Sequence, residues 1–249
     1  MATERATDIA TVVIGPKTRL GGALLAASPA SDRPVYAVAR DDRDRDELSA
    51  SGASVVGAGS AGPLLGDVRP HAIRIHVCAL GPVHPETAQP AQDASMVARD
   101  LALVERLLDE AAGREVHVVL VSSVLALAPG ADRAYYAGWK NVVEAELADL
   151  VDQHPAACLS VLYPGRLLAA EDRRRPWHRT HTTFERLAML MNQVGEGPGR
   201  SRIVGLDARA WLMARSASLL VAILSGSRST RRRHGVVGAT GASERSEIR

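Results

Sequence analysis

The sequence predicts an α/β fold built on a doubly wound parallel sheet, and three observations carry that expectation. Short apolar runs alternate with helical segments through most of the 249 residues. The first run, IATVVIG, passes directly into a glycine-bearing turn, GPKTRLGG, and then into a helix start. The composition is 46% hydrophobic but only 3% aromatic, so the core must be assembled mainly from Ala, Val and Leu. A chain of this length buries a full single-domain core.

A strand–glycine–helix opening is the entry of a dinucleotide-binding βαβ unit, in which backbone amides and a helix N-terminus receive a pyrophosphate. A second strand, PVYAVAR, ends at Arg40; DDRDRDEL gives a short helix and GASVVGAG a third strand. The fourth strand is AIRIHVCALG, followed by a long helix from about Ala91 to Ala112 with Leu101, Val104, Leu107 and Leu108 on one stripe. Val118 to Val121 form a fifth, buried strand that delivers Ser122 and Ser123 at its end. A Pro129-Gly130 turn follows, and Asp132 is placed to cap a helix carrying Tyr136 and Lys140. ACLSVLYPGRLL is the sixth strand.

Beyond Leu168 the alternation weakens. EDRRRPWHRTH reads as a charged loop, TTFERLAMLMNQ as an amphipathic helix and RSRIVGL as a short strand. ARAWLMARSASLLVAIL is a helix hydrophobic over most of its circumference. From about residue 226 the chain reads as a flexible basic tail, with one small strand, HGVVG, available for pairing. The expected organisation is one domain over residues 1–249, in which segments of about 169–225 cover the substrate.

Tyr136 and Lys140 are four apart on a predicted helix, so both project from one face. An ammonium beside a phenol favours the phenolate and is expected to lower the Tyr136 pKa, and a strand-end hydroxyl can bond the same substrate oxygen. The group is a proton-transfer site aimed at a carbonyl or alcohol. The plainer alternative is an amphipathic helix with a half-exposed tyrosine. Lysine usage weighs against it: of thirty basic residues, only Lys17 and Lys140 are lysine. A compact ammonium fits beneath a ribose and next to a phenol where a planar guanidinium does not.

Other classes find little support. Net charge is +2 and the basic residues are scattered apart from Arg173–Arg175 and Arg231–Arg233, with few aromatics between them, so no nucleic-acid partner is expected. Cys78 and Cys158 lie isolated in apolar runs and read as buried free thiols. His84, His178 and His181 show no metal-ligand spacing. The polar start MATERATDIA and the lack of a membrane-length apolar run lead us to expect a soluble cytoplasmic protein without a membrane partner.

From about Ala10 to Leu168 the order of these pieces resembles the short-chain dehydrogenase/reductase (SDR) superfamily, in its extended or atypical branch and with a degenerate glycine motif. Ser123 lies thirteen residues before Tyr136, as in that family. Lys140 is followed by Asn-Val-Val-Glu144, and His76-Val77-Cys78-Ala79 and Leu162-Tyr163-Pro164-Gly165-Arg166 are similar to its fourth and sixth strand ends. The resemblance implies a Rossmann-type domain and an NAD(P)-dependent oxidoreductase. It makes Tyr136 the general acid/base, Lys140 the residue that holds the nicotinamide ribose and tunes Tyr136, and Ser123 the carbonyl-polarising hydroxyl, with Ser122 as fallback. Cofactor contacts are implied at Gly15, Lys17, Thr18, Arg19, Leu20, Gly21, Arg40, Ala79, Lys140 and Pro164.

The chain departs from the family pattern in three places. The middle glycine of the first turn is Thr18 or Arg19, where a side chain crowds the pyrophosphate. The acidic residue after the third strand is Ala58, with Asp67 too late to replace it, and the asparagine of the long helix aligns with Asp100. At the end of the second strand an acidic residue would hold the adenosine ribose; Arg40 stands there instead, with Lys17 and Arg19 nearby, which favours NADP(H) over NAD(H). Asp41 follows directly, so a one-residue slip would reverse that sign. The leading expectation is an NADPH-dependent ketoreductase of a small carbonyl substrate. The alternatives are an epimerase or dehydratase of a sugar or polyol, and a non-catalytic or cofactor-independent relative. The resemblance also implies a homodimer through the helices at Ala91–Ala112 and Asp132–Val151.

Overall fold

The computed structural model describes residues 9–27, 34–50, 53–57, 64, 70–80, 89–172, 175–194 and 199–233. Its centre is a parallel sheet of β1 (Ile9–Ile14), β2 (Val35–Ala39), β3 (Ser54–Gly57), β4 (Ala72–Val77), β5 (Glu115–Val121), β6 (Ala157–Pro164) and β9 (Arg202–Val204). The order across the sheet is β3-β2-β1-β4-β5-β6-β9, and every neighbouring pair is parallel. The chain therefore winds outward from β1 in one direction and, after β4, in the other. A small second pair joins β7 (Leu167–Leu168) to β8 (Thr182–Thr183).

The helices are α1 (Arg19–Ala27), α2 (Asp42–Ala50), α3 (Pro90–Glu110), α4 (Val124–Leu127), α5 (Ala134–Asp152), α6 (Phe184–Val194) and α7 (Leu206–Arg233). Central strands are buried on both faces, which is why they read as continuous apolar runs and not as alternations. On one face Val12, Ile75, Val118 and Val161 pack with Val104, Leu107, Val143 and Leu147 from α3 and α5. On the other, Val13, Val119 and Leu162 pack with Leu20 and Leu24 of α1 and Leu187 and Met191 of α6.

Three local expectations are corrected. Asp132 does not cap α5; it lies inside a single 3-10 turn, Ala131–Arg133, and Arg133 precedes the helix without a side-chain cap. The turn itself lines up the chain, so no capping carboxylate is required. The C-terminal helix continues to Arg233, eight residues into the stretch read as a flexible tail. That extension crosses Gly226, whose helix penalty of about 1 kcal/mol weakens a helix without forbidding it. Met213, Leu219, Leu220 and Val221 on this helix are exposed. Cys78 and Cys158 are free thiols as expected, but only partly buried. The strand HGVVG and residues Ala58, Asp67, His84, Arg173 and Arg174 lie outside the described residues.

Candidate functional site

The carboxyl ends of β1 and β4 meet where the winding reverses, the place where open α/β sheets bind ligands. Gly15 turns out of β1 with φ at 76°, and a Cβ there would stand 3.3 Å from the Ala79 amide nitrogen. The Cys78 amide donates to the Ile14 carbonyl at 3.0 Å, fastening the two strand ends together. Gly21 sits in the first turn of α1, where a Cβ would fall 2.3 Å from the Gly15 carbonyl oxygen. These two glycines are thus required by close backbone approach and not by turn propensity alone.

Thr18 fills the position of the missing glycine without projecting into the turn. Its hydroxyl donates to the Gly15 carbonyl at 2.8 Å and accepts from the Gly21 amide at 3.0 Å. It acts as the N-cap of α1. One amide of the helix start is thereby occupied by the protein itself. Leu20 is buried beneath the turn, whereas Arg19 is exposed at the first position of α1.

The cations expected near a 2′-phosphate are partly neutralised. Lys17 is paired with Asp44 at 2.8 Å and Glu47 at 2.5 Å on α2. Its hydrogen bonds to Asp44 and Glu47 raise its pKa and hold both carboxyls below their usual range. Arg40 directly follows β2 and reaches buried Asp100 of α3 at 3.4 Å, while 42% of its side chain stays exposed. Burial pushes the Asp100 carboxyl up, against Arg40 and Arg99. The Asp41 carboxylate points back into its own chain and accepts from the Asp44 amide at 2.8 Å at the start of α2. Arg40, and not Asp41, stands at the strand end.

Ser123, Tyr136 and Lys140 come together where β5 ends and α5 begins. Tyr136 is partly buried; burial raises its pKa, opposed by a hydrogen bond with Ser123 and by the Arg133 charge. Ser123 also accepts from the Leu125 amide at 3.3 Å as the N-cap of α4, which aims its hydroxyl. Lys140 is only 8% exposed. Its ammonium donates to the Leu80 carbonyl at 3.0 Å and lies 5.5 Å from the Tyr136 ring centroid. Burial lowers its pKa to about 8, with Glu144 opposing. The expected depression of the tyrosine pKa by lysine is therefore not what the geometry produces: desolvation governs both groups, and the ammonium is spent on Leu80. Pro164 ends β6, beside Val204 of β9.

Ser122 is not interchangeable with Ser123. It hydrogen-bonds Glu144, whose other carboxylate oxygen accepts from the Tyr163 hydroxyl at 2.7 Å. Burial, then Glu144, push the Tyr163 phenol up. This polar cluster is not foreseen from the sequence, although Lys140 and Glu144 are four apart and Tyr163 lies in the strand beside the serines. The tyrosine next to the catalytic candidate, Tyr135, faces away from it and donates to Asp93 of α3 at 2.6 Å. His178 and His181 stack loosely in the loop after β7, and His181 Nδ1 is 2.9 Å from Asp207. Among the described residues there is no cluster suited to a metal ion, and no helix is long and apolar enough to cross a membrane.

The strand order and the glycine turn at the switch point define a Rossmann-like, doubly wound α/β fold. Solved structures agree on that fold. A short-chain dehydrogenase from Streptomyces avermitilis is 17% identical, with a TM-score of 0.63, over 93% of this chain and 99% of that one. A short-chain dehydrogenase from Burkholderia cenocepacia J2315 in complex with NADP is 16% identical, with a TM-score of 0.59, over 88% and 98%. FolM alternative dihydrofolate reductase 1 from Brucella canis, complexed with NADP, is 14% identical, with a TM-score of 0.60, over 82% and 95%. No family model matches the sequence, and no curated protein matches it.

Proposed function

We propose that this protein is an NADPH-dependent oxidoreductase that reduces a small-molecule carbonyl. The observation that carries this reading is the grouping of Ser123, Tyr136 and Lys140 at the carboxyl end of the sheet that also holds the Gly15 turn. The residues fit a dinucleotide. Gly15 and Gly21 keep the turn close to backbone, Ala79 follows β4 and Pro164 ends β6 on either side of β5, and Lys140 is the buried cation for a ribose hydroxyl. When bound, the nicotinamide supplies the hydride.

The chain's own residues supply the proton and its placement. A phenol raised by burial stays protonated at neutral pH, so Tyr136 is in the form that donates to a developing alkoxide. Ser123, fixed as a helix cap, offers a second hydrogen bond to the same oxygen. Lys140, which donates to the Leu80 carbonyl, would hold the ribose of a bound dinucleotide beside the Tyr136 phenol. Selectivity for the 2′-phosphate is assigned to Arg40 and Arg19, since Lys17 is held by two carboxylates. The NADP complexes of two proteins with this fold support that choice.

A second reading, cofactor binding without turnover, is favoured by the Thr18 cap, which occupies an amide that a pyrophosphate would otherwise use. Titrating the protein with NADPH and, separately, NADH comes first. Submillimolar NADPH binding, tighter than NADH and weakened in Arg40→Ala, followed by turnover of a carbonyl panel that Tyr136→Phe abolishes, is the expected result. Binding of neither nucleotide overturns the proposal; binding without turnover selects the second reading. We also propose a homodimer through α3 and α5, which light scattering on the purified chain tests.

A further inference from the structure

At the far margin of the sheet, where β9 turns into α7, lies a pocket of about 350 Å³ lined by Arg179, Arg186, Arg202 and Arg209 with Thr180 and Thr182. None of Ser123, Tyr136 or Lys140 lines it, and neither does any carboxylate. The four arginines come from a 3-10 turn (Pro176–Thr180), α6, β9 and α7, so the fold gathers them from four separate elements. None of them makes an ion pair with a described residue. Some exposed cations elsewhere are paired, as Lys17 and Arg43 are with Glu47.

The backbone adds to the positive character. Thr183 caps α6 by accepting from the Arg186 amide at 3.2 Å, and Gly205, with φ at 99°, turns the chain directly into α7. Two helices thus begin at the pocket wall, each with its positive dipole end there. Four arginines border one concavity, and the Asp207 carboxylate beside its wall, bonded to His181 at 2.9 Å and to the Arg166 amide at 2.8 Å, leaves the patch net positive, an excess that a bound oxyanion relieves. Guanidinium forks match phosphate oxygens in pairs, and the threonine hydroxyls add neutral donors.

We infer that this pocket binds a phosphate-bearing small molecule at a site separate from the nucleotide turn. The inference does not depend on the reductase reading. Inorganic phosphate and pyrophosphate serve as probes in thermal unfolding of the full chain, against sodium chloride of matched ionic strength. At about ten times its dissociation constant, either probe should raise Tm by about 4 °C in the wild type. Arg186→Gln/Arg209→Gln should lose that rise, whereas Arg19→Gln in the nucleotide turn should keep it. All three positions are exposed, so these variants leave the core intact. Loss of the rise in Arg19→Gln with retention in the double variant places the anion at the turn and overturns the assignment. A rise no larger than that given by chloride overturns it as well.

Discussion

Tyr136 and Lys140 share a helix face, yet what tunes them is the solvent they have lost. Tyr136→Phe removes the proton donor and should lower kcat/KM by about 10²–10⁴-fold while NADPH affinity stays near wild type, read by calorimetry. Lys140 titrates near pH 8, having been moved down from 10.5. Its ammonium is intact below that value, so reduction should decline as pH rises through about 8, with a slope absent from nicotinamide-independent controls. Between about pH 8 and 10.5 the unfolded chain holds more protons than the folded one, so Lys140 makes stability rise with pH there. Gly21→Ala puts a methyl into the Gly15 carbonyl and should cost about 1–3 kcal/mol of stability, together with nucleotide affinity, in parallel denaturant and binding titrations. The spacing of Tyr136 and Lys140 was legible because helix periodicity is local. The preference for Ser123 over Ser122 rests on its distance from Tyr136, whereas the Glu144 contact that engages Ser122 belongs to another element and leaves no local signal.

Among the elements, β4 carries the least expected cost. His76 is fully buried there, and neither ring nitrogen has a hydrogen-bond partner among the described residues. Burial, with Arg74 and His117 adding to it, moves its pKa from 6.5 to about 3. The imidazole folds neutral and is protonated more readily when unfolded. Stability is therefore complete above about pH 6.5 and is lost as pH falls toward 3. His76 should account for about 2 kcal/mol of loss between pH 7 and 5. His76→Leu should flatten that limb in urea titrations at the two pH values; an unchanged limb would show that the imidazole is hydrated. The element pattern was largely readable, because runs such as Val118 to Val121 are long enough to announce buried strands. Asp132 and the reach of α7 were not. A 3-10 turn substitutes for a cap at the first, and at the second nothing in a serine- and arginine-rich segment marks where a helix stops.

For the molecule as a whole, the proposed nucleotide turn at β1 and the proposed anion pocket at β9 share no lining residue and should act independently. Saturating NADPH and saturating pyrophosphate should raise Tm by amounts that add within experimental error, since separated sites with no shared partners are additive. A shared site would make the second addition ineffective. The parallel, doubly wound sheet followed from the alternation of elements, while the arginine pocket did not. Arg179, Arg186, Arg202 and Arg209 are spread over about thirty residues without a motif, and only the return of α6 and β9 to one edge brings them together.

The sheet also tapers. Its margins, β3 and β9, are four and three residues long, against six to eight in the strands from β4 to β6. A border that short presents too few unpaired amides and carbonyls to template another chain. Among the described residues, contact between copies falls to side chains on helices, which can be selected residue by residue. Strand-to-strand stacking, the route to fibres, is denied a starting edge.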